Sequence, residues 1–109
     1  MDENITIKIE ELIAMFIVAK GEFNGEEFEY FPKLPKPFSE NLTIKFPKCV
    51  FKGDLLSLRV NDQFGVKLWF IDDNEEQYYF DWKAIKMYAP TLAVIIFTHI
   101  FDMIENMEM

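Results

Sequence analysis

One stretch, Pro90 to Met107, limits the fold of this chain more than any other, because its apolar surface is too wide for a helix that docks on a single layer. Advancing by about 100° per residue from Leu92 puts Met103, Ile96, Met107, Ile100, Ala93, Ile104, Phe97, Phe101 and Val94 on one arc of about 200°. A helix lying on one sheet uses about half that width. The remaining strip holds Thr91, Thr98, Asp102, Glu105, Asn106 and His99, broken by Ile95. Either two layers of the fold flank this helix, or a second chain covers part of it.

The same stretch does not read as a membrane span. Its most hydrophobic run, Ala89 to Phe101, ends at Asp102 and is preceded by Lys83 and Lys86, short of the roughly 20 apolar residues a bilayer requires. Met1-Asp2-Glu3-Asn4 is acidic where a secretory leader is basic. With Cys49 the only cysteine, the expectation is a cytoplasmic protein without membrane segment or disulfide. Cys49 follows Phe46-Pro47-Lys48 and precedes Val50-Phe51, the setting of a small buried hydrophobe rather than a reactive thiol.

At 109 residues the chain reads as a single domain, 1–109, long enough to bury about two thirds of its unfolded surface. Twelve phenylalanines and an apolar fraction of 50% exclude disorder. The net charge of -8 is uneven: residues 1–31 hold eight acids against Lys8 and Lys20, residues 32–67 hold seven bases against three acids, and residues 68–109 return to eight acids against two lysines. The basic middle third reads as strands that neutralise acidic neighbours. An acidic balance of this kind repels nucleic acid and favours basic protein partners.

Alternation in Ile5-Thr6-Ile7-Lys8-Ile9 predicts a short strand. Glu10 to Lys20, closed by Gly21, then reads as a short helix, although a long strand fits almost as well. Asn24-Gly25 predicts a hairpin of about 21–23 and 26–31 with two positive φ angles at its turn. Three prolines between Pro32 and Pro37 make an irregular spacer. Leu42, Ile44 and Phe46 mark the next strand, which Pro47 ends. After it come Leu56, Leu58 and Val60, then Val66, Leu68 and Phe70, then Tyr78, Phe80 and Trp82. Trp69, Ile71 and Tyr79 occupy the alternate positions, as in a sheet covered on both faces. The expected fold is α+β: an antiparallel meander of about five strands packed against the long apolar C-terminal helix, with a second short N-terminal helix.

Motifs for chemistry are weak throughout. The turn Asp72-Asp73-Asn74-Glu75-Glu76 groups four carboxylates but lacks the length, the glycine and the final glutamate of an EF-hand. His99, Asp102 and Glu105 fan out by about 60° per step around the helix and do not converge on one ion. Gly21, Gly25, Gly53 and Gly65 are isolated and form no phosphate loop. Trp69, Tyr78, Tyr79 and Trp82 beside Lys67 and Lys83 suggest a nucleic-acid platform, but Asp72, Asp73, Glu75, Glu76 and Asp81 surround them. No catalytic residue, metal ligand, cofactor or direct nucleic-acid contact is expected.

The leading expectation is a small acidic protein-binding domain that inhibits or neutralises another macromolecule, as toxin-immunity proteins and phage anti-defence proteins do. Its contacts would be Glu22, Glu26, Glu27 and Glu29 together with Asp72, Asp73, Glu75 and Glu76, one anionic surface if both groups share an end of the sheet. The partner would be a basic, nucleic-acid-binding protein. The alternative is a module for a small ligand or lipid, with an apolar pocket between the sheet and the C-terminal helix. A homodimer through Ile96, Ile100, Met103 and Ile104 is expected alongside either, since exposing several such side chains is costly.

Overall fold

The computed structural model describes residues 2–107, with side chains from 9 to 106. Its first element corrects the sequence reading: Asp2–Lys20 form one helix, α1, so residues 5–9 are not a strand. Five alternating residues are a weak signal, whereas the apolar positions 9, 12, 13, 16 and 17 recur at helical spacing from 9 to 17. Ile13, Ala14, Phe16 and Ile17 are buried by that spacing, and tertiary packing outweighs the strand preference of β-branched residues.

A hairpin follows, β1 (Glu22–Asn24) and β2 (Glu27–Tyr30). Its two-residue loop has positive φ only at Gly25, 71°, the pattern of a II′ turn; the two positive angles expected of Asn-Gly do not occur. The remaining strands are β3 (Leu42–Lys45), β4 (Val50–Val60), β5 (Val66–Asp72) and β6 (Gln77–Asp81). All pairs are antiparallel, in the order β1-β2-β4-β5-β6, with β3 also on β4. β2 pairs with the Leu58–Val60 end of β4 and β3 with its Val50–Gly53 end, so the two lie end to end along one edge. The proline spacer crosses between them with one 3₁₀ turn, Lys36–Phe38. Just beyond it the chain is tied back to β4: Leu55 N donates to Ser39 O at 2.8 Å, and Asn41 N donates to the Asp54 side-chain Oδ1 at 2.9 Å.

A β-bulge falls between Leu55 and Ser57, which face Phe70 and Trp69 on β5. Leu56 is therefore the extra residue, and Leu55 rather than Leu56 joins Leu58 and Val60 on the core side. β6 ends one residue earlier than the aromatic alternation suggests. Asp81 caps a short helix, α2 (Trp82–Tyr88), its Oδ1 accepting from Ala84 N at 2.8 Å, so Trp82 is helical and buried. Pro90 opens the last helix, α3 (Pro90–Met107), over the predicted bounds, proline being suited to a helical first turn.

α1 lies across β2, β4 and β5, α2 lies on β5 and β6, and α3 packs against both helices. One core results, on one face of the sheet, from Leu58, Val60, Val66, Leu68 and Phe70 below to Ile13, Ile17, Trp82, Ile85, Ile96 and Ile100 above. The fold is α+β, but the sheet is covered once rather than twice. The width of the α3 arc is met by its helical neighbours instead: Leu92, Ala93, Ile96 and Ile100 are buried, while Val94 and Phe101 remain 61% and 42% exposed. Among the described residues no helix is long and apolar enough to cross a membrane.

Candidate functional site: the open face of the sheet

Strand alternation sends every second residue of β2, β4, β5 and β6 to the face that the helices leave free. Glu27, Glu29, Ser57, Arg59, Lys67, Trp69 and Tyr79 stand there in register, with Glu29 opposite Arg59, Ser57 opposite Trp69, and Trp69 opposite Tyr79. Arg59 is the hub. Its Nη2 lies 2.7 Å and its Nε 2.8 Å from Glu29 Oε2, a double contact by one planar guanidinium, and its Nη1 lies 3.7 Å from Glu27 Oε1. Ser57, fully buried beneath it, donates to the same Glu29 oxygen at 2.9 Å.

The guanidinium also lies 4.1 Å from the centroid of the Trp69 ring, Trp69 packs on Tyr79 at 5.0 Å, and Lys67 Nζ sits 4.6 Å above Tyr79. Each cation meets the negative face of an aromatic ring. The row Glu29, Arg59, Trp69, Tyr79, Lys67 is thus a prearranged surface rather than a set of free side chains. Its centre is half-buried by its own members, and its outer member Tyr79 is 51% exposed.

The acidic groups predicted to act together are separated by the topology. Glu22, Glu26, Glu27 and Glu29 belong to the β1–β2 hairpin, which enters at the Val60 end of β4. Beside the Asn61–Gly65 turn there, a depression of about 730 Å³ is lined by Phe23, Glu26, Glu27, Asp62 and Lys67 among others. Asp72, Asp73, Glu75 and Glu76 belong to the β5–β6 turn at the opposite, Gly53 end. Not all eight carboxylates are free: Arg59 holds Glu29, and Asp72 Oδ1 accepts from Asn74 N and Glu76 N at 2.9 Å each. Tyr78, whose hydroxyl donates to Glu76 Oε1 at 3.1 Å, has its pKa raised by that bond and by the charge of Asp72. Glu22, Glu27 and Glu29 border the open face, with Arg59 and Lys67 level with Glu29 near that end, whereas Asp72 follows the alternation of Leu68 and Phe70 onto the helical side.

Of the residues assigned to self-association, Ile96 and Ile100 lie in the core of a single chain, Ile104 packs on that core, and Met103 is exposed. His99 Nε2 lies 3.1 Å from the Tyr30 hydroxyl, and desolvation lowers its pKa against the opposing charge of Asp102. Cys49 is exposed, not buried, because Phe46 N donates to Cys49 O and places it at the tip of the β3–β4 hairpin. Between β3 and the start of α3 lies a depression of about 320 Å³. Among the described residues no three His, Cys, Asp or Glu side chains are grouped to hold a metal ion.

Sequence reasoning considered Trp69, Tyr79 and Lys67 but passed over Ser57 and Arg59. The signal was present in their alternation with Leu58 and Val60; what hid it was the pairing of Arg59 with Glu29 and of Ser57 with Trp69, a matter of strand register that sequence periodicity does not reveal. No family model matches the chain, and neither a curated protein nor a solved structure matches it.

Proposed function

We propose that this chain is a non-enzymatic protein-binding domain that docks a basic partner across the open face of the sheet and acts as an inhibitor or neutraliser of that partner. One observation carries the reading: the uncovered face bears an ordered aromatic and cationic row beside the acidic β1–β2 hairpin. Aromatic side chains and arginine supply much of the energy at protein interfaces, and a row already ordered loses little entropy on binding. The hairpin acids select a partner with basic residues beside an apolar strip and speed its approach. The same charges disfavour nucleic acid, because Glu27 and Glu29 neutralise Arg59 and leave a phosphate backbone facing net negative charge.

The test is capture from the native host with three tagged forms: wild type, Tyr79→Ala with Lys67→Glu on the open face, and Met15→Ser, at an exposed helical position. The reading predicts basic proteins retained by the wild type and by Met15→Ser and lost from the open-face variant. Retention of the same proteins by the open-face variant, or capture of nucleic acid alone, contradicts it.

A further inference from the structure

We infer that a groove on the opposite side of the molecule, between α1, α2 and α3, is a binding site for a single-chain carboxylate. The groove encloses about 600 Å³, within the range of small-molecule sites, and its walls are Ile9, Trp82, Pro90, Ala93, Val94 and Phe97. It occupies part of the α3 arc that the core leaves exposed, since Val94 belongs to that edge. Two charged residues complete the lining, Lys86 from α2 and Glu10 from α1.

Two donors make the choice of ligand. Trp82 is 2% exposed, and its Nε1 has no hydrogen-bond partner among the described residues. A buried N–H without an acceptor has lost its hydration with nothing in return, and a ligand oxygen would supply the missing partner. That atom is closed to water in the free protein, so a ligand reaches it by wedging against the indole. Lys86 is exposed and supplies a cation to the same lining, while among the described residues it forms no ion pair with Glu10. An apolar tail fits the walls, and an anionic acceptor fits the indole N–H and the ammonium. Glu10 opposes the anion and sets the sign of one test.

Dodecanoate, titrated below its micelle concentration into ¹⁵N-labelled protein, is the probe, read at the two indole N–H resonances with Trp69→Phe to assign them. The site predicts a saturable shift at Trp82 with Trp69 unmoved. Lys86→Gln weakens binding about three-fold and Glu10→Gln strengthens it by a similar factor, the scale of a single exposed charge interaction. Val94→Asp, at a position that tolerates charge, abolishes the shift. Equal affinity for dodecylamine, joint movement of both indoles, or no saturable shift overturns the inference. None of these outcomes bears on the open sheet face, which lies on the other layer.

Discussion

At the residue scale, Glu29 is the group on which the open face depends. It accepts from Arg59 Nε at 2.8 Å and from Ser57 Oγ at 2.9 Å, with only 13% of its side chain exposed. Glu29→Ala leaves the buried Ser57 hydroxyl and a half-buried guanidinium without their acceptor, and hydrogen bonds to charged groups are worth about 1.5–3 kcal/mol. Urea unfolding is expected to show a loss of that order. A double-mutant cycle with Arg59→Ala should give a coupling of about 1 kcal/mol or more, above that of an exposed pair. His99 provides the second residue-scale expectation. Its folded pKa lies below the ordinary value of 6.5, so below that value the unfolded chain binds more protons. Its contribution to stability is complete above 6.5 and is lost as pH falls through it, levelling off below the folded pKa. Urea midpoints between pH 8 and pH 5 should therefore fall more steeply for the wild type than for His99→Asn.

At the element scale, α3 tests how its apolar surface is used. Ile96 is fully buried within one chain, so Ile96→Ala is expected to cost about 2–5 kcal/mol of unfolding free energy without a change of oligomeric state. A change of association state with stability unaltered contradicts this. Gly53 makes a second test, because a Cβ there would press on the Ile71 carbonyl oxygen and lie 2.7 Å from Phe51 Cζ. Gly53→Ala should destabilise by about 1–3 kcal/mol, measured by thermal or urea unfolding. α3 and β5 were legible because their apolar periods are uninterrupted, whereas in β4 the bulge at Leu56 moves the core side to Leu55. Residues 5–9 were not, since a period of two over five residues is also compatible with a helical stripe that continues to Ile17. α2 was hidden because Tyr78, Phe80 and Trp82 keep the strand alternation past Asp81, where the carboxylate cap turns the chain into a helix.

At the scale of the whole molecule, antiparallel topology decides which charges act together. Both acidic groups were visible in the sequence, but their placement depends on the direction in which β2 and β5 run along β4, and composition carries no such information. The outcome is an open face on which Arg59, Trp69, Tyr79 and Lys67 adjoin the hairpin acids, with the β5–β6 acids at the far end of the sheet. Helices cover the other layer, where Tyr88 ends α2. The most direct measurement is oxidative footprinting of the aromatic side chains in the complex with a captured partner. Tyr79 and Tyr88 are 51% and 37% exposed in the free protein, so both start reactive. The open-face account predicts strong protection of Tyr79 with Tyr88 unchanged; protection of Tyr88 with Tyr79 still reactive contradicts it.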